Sequence, residues 1–348
     1  MTSDTKFMLR AVELAKNGEG HTRPNPPVGA VLVKDDRIVG EGWHHRCGEA
    51  HAEVNAIRDA GTAARGATLY VTLEPCSKPG RVGACTDAIV AAGVGRVVYA
   101  IEDPNPKNRG GAKKALSGAG IPCRRMRSGA AVEAARRLIA PFAKSVTQGL
   151  PYVTVKLAMT LDGRICDKWG DAKWISNEES RRRTGSLRNR VDAIMVGANT
   201  VRNDNPSLLR KTASNDDFLR IVVTHTGKSL PRGARVFTDG MQKHTVVLCV
   251  GRKSLPKALK DWPEDPNGVL AVLAGPTLAD AIRMLHSFFK PLHILCEGGL
   301  GLARSLAAEG LVDEWLTVLA PKVIGEGRVA DAFEFPGEDV FVSFCSLR

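Results

Sequence analysis

Apolar positions in the first hundred residues switch between two periods. Over residues 4–16, Phe7, Met8, Val12 and Ala15 recur near helical spacing and predict an amphipathic helix. Apolar runs at 28–33 and 38–43 flank the polar turn Lys34-Asp35-Asp36-Arg37 and predict a hairpin. A helix over 52–60, a strand over 68–72, a helix over 86–92 opened by Cys85 and a strand over 96–101 follow in order. The last two strands deliver Glu74-Pro75-Cys76 and Asp103-Pro104-Asn105-Pro106 to the same edge, where open α/β sheets place ligands. A helix over 130–142 leads into a polar stretch, 144–150, where a domain boundary is expected.

The second half opens on a strand over 152–158 and a turn at Asp162-Gly163. Ser176 or Asn177 caps a helix running to about Arg190. A buried strand at 193–196, a loop at 204–208 and further strands at 221–224, 245–250 and 269–273 come next. A strand over 292–297 then feeds Gly298-Gly299-Leu300-Gly301 and a helix over 302–309. Glycines at such a turn let backbone N–H groups reach a phosphate, although tight turns need glycine as well. The run is not G-x-G-x-x-G, so a Rossmann fold is not supported. Strands alternating with helices make both halves α/β layers, without internal repeats or low-complexity segments.

Composition changes this picture little. The 348 residues suffice for two domains, taken as 1–147 and 148–348, and 43% hydrophobic with 25% charged residues is ordinary for a globular chain. No apolar run approaches the ~18 residues that span a bilayer, and residues 1–7 lack a signal-peptide pattern. A cytoplasmic, reducing setting is expected, because the cysteines lack the dense spacing of a disulfide framework. The net charge of +12 suggests nucleic acid, yet the basic residues are scattered and aromatics make up only 5%. The densest basic run, Arg181-Arg182-Arg183 with Arg188 and Arg190, is either a solvated helix face or a site for a small phosphorylated substrate.

The chemistry lies between His51 and Cys85. His51, Cys76 and Cys85 offer one imidazole and two thiolates, one ligand short of a closed tetrahedral zinc site. A catalytic zinc keeps that position for water, and Glu53, in the first helical turn, can exchange protons there without ligating. This is the H-x-E…P-C…C signature of zinc nucleobase deaminases, with eight residues between the cysteines instead of two.

Together these motifs resemble the bifunctional riboflavin-biosynthesis family, a pyrimidine deaminase fused to a pyrimidine reductase. The likeness spans nearly the whole chain. It rests on Pro24-Asn25-Pro26-Pro27-Val28-Gly29, Gly42-Trp43-His44, the zinc signature with its eight-residue gap, and Asp103-Pro104-Asn105-Pro106. In the second half it rests on Lys156 with Leu161-Asp162-Gly163, Trp174-Ile175-Ser176, Gly197 with Thr200, and Asp204 with Pro206 and Leu208. Glu297-Gly298-Gly299 and Val312-Asp313-Glu314 complete that set. The resemblance implies a cytidine-deaminase-like three-layer α/β/α domain and then an α/β domain similar to dihydrofolate reductase. It implies zinc-dependent hydrolysis of 2,5-diamino-6-(5-phosphoribosylamino)pyrimidin-4-one, then NADPH reduction of the ribosyl group to give 5-amino-6-(5-phosphoribitylamino)uracil. By matching positions it assigns zinc to His51, Cys76 and Cys85, and acid–base work to Glu53. Asn25, His44, Lys78, Arg81, Asp103 and Asn105 would line the pyrimidine pocket. In the reductase, Lys156 would donate a proton, and Arg188, Leu208 and Glu297 would face substrate. Ala158, Trp174, Thr200, Asp204, Gly299, Leu300, Gly301, Leu302, Ala303, Arg304 and Ser305 would face NADPH. A homo-oligomer acting on small phosphorylated pyrimidines, without nucleic-acid or membrane partners, completes the expectation.

Several positions depart from the family pattern. Lys78 stands where a histidine is usual, Ala172 replaces a serine, and Thr224-His225 replaces an Asp-Ser pair. The basic residue expected after Leu208 is either Arg210 or Lys211. Two rival readings stay open on sequence: another zinc deaminase with an impaired or unrelated second half, and a silent protein that keeps only the metal site.

Overall fold

The computed structural model describes residues 2–169, 175–211, 213–227, 230–265, 268–329 and 341–346. The chain divides into two compact units, Met1–Gly149 and Leu150–Arg348.

In the first unit, α1 (Ser3–Ala15) precedes the hairpin β1 (Gly29–Lys34) and β2 (Arg37–Trp43). Then come α2 (Ala52–Ala60), β3 (Thr68–Leu73), α3 (Cys85–Ala91) and β4 (Arg96–Ile101). The unit ends with α4 (Gly111–Gly118), β5 (Cys123–Arg125) and α5 (Ala130–Gln148). The sheet runs β2-β1-β3-β4-β5, with β1 antiparallel to its two neighbours and β3, β4 and β5 parallel. Strands β3 and β4 are almost wholly buried, which is why they read as continuous apolar runs. On one face Val31, Tyr70 and Val98 pack against Phe7, Met8 and Val12 of α1 and Val132 and Ala135 of α5. Each such side chain, fully buried, contributes roughly 1.5–3 kcal/mol. Helix α2 covers the opposite face, so the unit has three layers.

Helix α5 continues past Pro141, beyond the end expected at 142, and stops at Gly149 with φ +66°. A proline costs a helix interior about 3 kcal/mol. Buried Leu138, Ile139 and Phe142 on its packed face offset that cost.

The second unit opens with β6 (Tyr152–Thr160) and β7 (Arg164–Asp167), followed by α6 (Glu178–Leu187), β8 (Ala193–Gly197) and α7 (Ala198–Asp204). Next are β9 (Leu219–Thr224), α8 (Arg235–Thr238), β10 (Thr245–Val250), α9 (Lys257–Lys260) and β11 (Ala271–Gly275). Then α10 (Leu278–Phe289), β12 (His293–Cys296), α11 (Leu300–Ala308), β13 (Glu314–Ala320), β14 (Gly327–Val329) and β15 (Phe341–Ser346) complete it. Eight strands order as β11-β10-β9-β8-β12-β6-β13-β15, every pairing parallel, while β7 and β14 form a separate antiparallel ribbon. Met195, Ile221, Val223 and Leu248 face Leu278, Ile282 and Leu285 of α10 and Leu306 of α11. The alternate residues Ile194, Val222, Val247 and Cys249 pack with Phe237 and Trp262 on the other side. Among the described residues no helix is long and apolar enough to cross a membrane.

Candidate active sites

A Cβ on Gly42 would fall 2.4 Å from Ala56 N and 2.5 Å from Ala52 O, and one on Gly40 2.4 Å from Ala56 O. Only hydrogen fits there, so α2 lies backbone to backbone on β2 and its N-terminus has a fixed height above the sheet. That N-terminus carries His51 and Glu53. His51 precedes the first turn and spends its imidazole on the thiols, Nδ1 lying 3.2 Å from Cys85 Sγ and 3.6 Å from Cys76 Sγ. Cys76 follows β3 and Cys85 opens α3, whose N–H donates to Cys76 Sγ at 3.3 Å. The three donor atoms lie within 4.8 Å of one another, the sole group of this kind among the described residues. One ring nitrogen and two sulfurs at that spacing suit a zinc ion.

The electrostatics agree with that donor set. A hydrogen bond between the two thiols holds Cys76 below the ordinary thiol range and, with burial, pushes Cys85 well above it. The Cys76 contact raises His51. Glu53 is 3% exposed, and burial lifts its carboxyl above the usual range. Asn55, one turn after His51, donates to Trp43 O at 2.8 Å and Ala50 O at 3.3 Å, fixing the approach to the metal ligand. Sequence reasoning passed over Asn55; the signal was a polar residue four positions after a ligand on a packed helix.

Around this centre the sequence-assigned residues divide. His44 Nδ1 meets Ala50 O at 3.1 Å, which makes Nε2 the acceptor for Asn25 Nδ2 at 3.1 Å. Its ring meets that of His51 edge-on at 5.1 Å, and burial depresses its pKa, favouring the neutral imidazole. Asp103 accepts from Asn105 N at 2.8 Å and Asn108 Nδ2 at 3.1 Å. Lys78 donates to Lys107 O at 2.7 Å, joining the metal loop to the loop after β4. Arg81 is exposed and donates to Cys47 Sγ at 3.1 Å.

In the second unit, Cys296 pairs with Val155, so Glu297 and Lys156 lie one rung further along adjacent parallel strands. Arg188 forks onto Glu297 with bonds of 2.9 and 2.7 Å and reaches Leu209 O at 3.1 Å. Burial pushes the Lys156 ammonium below its ordinary range against the pull of Glu297, and Arg188 adds to the depression. Burial pushes Glu297 up, but the guanidinium fork outweighs it and holds the carboxylate down. Leu208, at φ +57°, buries its side chain in the core, leaving its backbone to meet a ligand. Arg210 is 4% exposed, stacks on Phe218 and donates to Arg188 O and Ser214 O. It is a core residue, which leaves exposed Lys211 as the candidate cation after Leu208.

Seven of the positions that the resemblance assigns to NADPH, Gly299 to Ser305, lie at the start of α11. Gly299 has φ +65°, and a Cβ there would stand 3.5 Å from Thr200 Oγ1; one on Gly298 would strike Val196 at 2.8 Å. This bare cradle joins a helix N-terminus whose first N–H groups have no intrahelical acceptor, a fit for a phosphate-bearing cofactor. Leu300 and Gly301 begin the helix, whereas Leu302 and Ala303 point into the core and can face a ligand only through backbone. Ser305 Oγ is bonded to Gly301 O at 3.0 Å and Arg304 is exposed. Thr200 and Asp204 lie on α7, a helix that no sequence pattern announced, the expected loop at 204–208 follows from its last residue, and Ala158 lies on β6. Thr224 caps a turn by accepting from Gly227 N at 3.1 Å, and His225 O accepts from Arg252. Trp174 and Ala172 lie outside the described residues. Substituting Gly299→Ala puts a side chain into the cradle at a backbone cost of about 1–3 kcal/mol. The Michaelis constant for NADPH then rises at least about tenfold with ammonia release unchanged, measured by initial rates at varied NADPH.

A model of the cytidine and deoxycytidylate deaminase zinc-binding region matches residues 1–101, and a model of the RibD C-terminal domain matches residues 151–339. The chain is 38% identical to riboflavin biosynthesis protein RibD of Aquifex aeolicus (strain VF5) over 93% of its own length and 88% of the relative's. It is 38% identical to RibD of Escherichia coli (strain K12) over 97% and 96%. Among solved structures, Acinetobacter baumannii RibD superposes with a TM-score of 0.83 at 34% identity, covering 96% of this chain and 92% of that one. A diaminohydroxyphosphoribosylaminopyrimidine deaminase/5-amino-6-(5-phosphoribosylamino)uracil reductase from Thermotoga maritima gives 0.81 at 34% identity, covering 94% and 89%.

Proposed function

The chain belongs to the RibD family of riboflavin-biosynthesis proteins, and on that premise we propose how its residues share the family's two reactions. It is a bifunctional enzyme, a zinc-dependent pyrimidine deaminase followed by an NADPH-dependent pyrimidine reductase.

In the deaminase half, His51, Cys76 and Cys85 hold zinc, which when bound acidifies water enough to make it a nucleophile near neutral pH. Glu53 carries one proton of the attacking water to the ring nitrogen and the second to the amino group. The carbon–nitrogen bond breaks, a carbon–oxygen bond replaces it and ammonia leaves. Asn25, neutral His44, Asp103 and Asn105 orient the pyrimidine, and Lys78 and Arg81 supply positive charge for its phosphate. In the reductase half, the glycine cradle at Gly299 and the start of α11 hold the cofactor, with Thr200 and Asp204 beside it. Lys156 donates the proton that accompanies hydride delivery to the ribosyl carbon, and Arg188 and Glu297 place the ammonium. The observation that carries the reading is the convergence of three donor atoms within 4.8 Å beside a carboxylate that is 3% exposed.

The same reading includes a homo-oligomer in a reducing, cytoplasmic setting, with no nucleic-acid partner. Leu161, Trp169 and Val323, 64%, 82% and 71% exposed, offer apolar surface for a second copy, and the described cysteines are free thiols.

A split assay tests the assignment. Ammonia is followed from the diamino precursor, and NADPH absorbance is followed separately with the deaminated intermediate. Cys85→Ala is expected to lose its equivalent of zinc and its ammonia release while NADPH oxidation stays at the wild-type rate. A variant that keeps zinc and releases ammonia normally would remove Cys85 from the site.

A further inference from the structure

We propose that Glu74 is a positioning residue that couples the metal loop of the deaminase to its substrate loop. The inference rests on the reading above, in which Asp103 and Asn105 face the pyrimidine. Glu74 stands two residues before Cys76, and its N–H donates to Ile101 O at 2.8 Å, which sets it at the ends of β3 and β4. Its side chain is buried, and both oxygens are committed. Oε2 accepts from Asp103 N at 3.2 Å and Gly110 N at 3.1 Å; Oε1 accepts from Ala112 N at 3.1 Å.

Those donors lie at the start of the loop after β4, at its end, and in the first turn of α4. One carboxylate therefore closes residues 103–112 into a ring on the loop that carries Cys76. Helix α4 has no cap of its own, since Gly110 is left-handed at φ +76° and offers no side chain. Glu74 does that work from the loop after β3, where its charge also favours the helix N-terminus. The docking is close: a Cβ on Gly111 would fall 2.0 Å from Ser77 Oγ, so α4 begins directly on the Cys76-Ser77 loop. Lys78 adds a further tie through Lys107 O. The residues that hold the ion and those that orient the ring are thus set relative to each other by one buried side chain.

Glu74→Gln keeps the shape but turns an N–H₂ toward a backbone N–H, so at least one of the three bonds is lost. The zinc ligands are untouched. The Michaelis constant for the diamino precursor is expected to rise at least about tenfold while kcat stays within about threefold. Zinc stays at the wild-type stoichiometry, and NADPH oxidation with the deaminated intermediate is unchanged. Adding Glu74→Gln to Asn105→Ala raises that constant much less than it does in the wild type, because the two act through one loop. Should Glu74→Gln fail to fold, Gly111→Ala, which presses α4 away from Ser77, raises the same constant.

A variant whose kcat falls in step with lost zinc at an unchanged Michaelis constant overturns the proposal, since Glu74 would then serve only the fold. Unchanged kinetics overturn it too. If the wild type releases no ammonia from the precursor, the reading of the whole site falls first.

Discussion

Glu53→Gln is expected to lower ammonia release roughly 10²–10⁴-fold, the range for losing a general acid–base, with zinc content unchanged. Glutamine keeps the side chain's length and much of its packing in the first turn of α2, where Glu53 is 3% exposed. It cannot take a proton from water and return it. The side chains of His51, Cys76 and Cys85 come from the start of α2, the loop after β3 and the start of α3; only Cys85 touches the Glu53 carboxyl, a hydrogen bond that glutamine can replace. Metal analysis and a stopped ammonia assay separate the two effects. A variant that loses zinc together with activity would recast Glu53 as part of the metal's support. One that keeps both would move the acid–base role elsewhere.

Legibility from sequence tracked how far each segment depends on its own pattern. Strand β10 and helix α2 coincide with their predicted spans, because apolar runs and a packed helix face are local signals. Strand β11 starts at Ala271 where 269 was expected, as Val269 and Leu270 are apolar residues leading into it. Helix α10, not among the expected elements, is legible in Leu278, Ala281, Ile282 and Leu285, capped by Thr277. Helix α7 is not: Ala198 and Val201 are its only buried residues, and the helix exists because β8 and β9 flank it. The grouping of His51, Cys76 and Cys85 was legible, since residue type and spacing single those three out. The ring that Glu74 closes joins residues 29 to 38 positions apart, and a linear pattern carries no trace of it.

The same contrast separates Arg188 from Arg210. Both are arginines near the expected substrate site, and sequence offered Arg210 as a possible substrate cation. The structure gives Arg188 to a carboxylate and Arg210 to backbone carbonyls under Phe218. A guanidinium already holding neutral acceptors in the core has no fork left for a phosphate.

Glu297→Gln should have the largest effect on the reductase and should also move its pH dependence. Lys156 is depressed first by burial and further by Arg188, and the Glu297 carboxylate is the one group that holds its pKa up. Removing that charge lowers the pKa again, so the ammonium is lost at lower pH. A step that needs Lys156 protonated therefore fails earlier on the alkaline side. The basic limb of kcat/KM for NADPH oxidation shifts down, and the rate on the plateau falls roughly 10²-fold as the Arg188 fork loses an acceptor. The opposite change, Arg188→Met, removes a lowering charge from Lys156 but leaves Glu297 buried and unpaired, which costs about 3–5 kcal/mol of stability. Each variant leaves a buried charge without its partner and lowers the melting temperature, but the pH profiles diverge: Glu297→Gln moves the basic limb down and Arg188→Met moves it up. Matching pH profiles for Glu297→Gln and the wild type would show that Lys156 does not supply the proton.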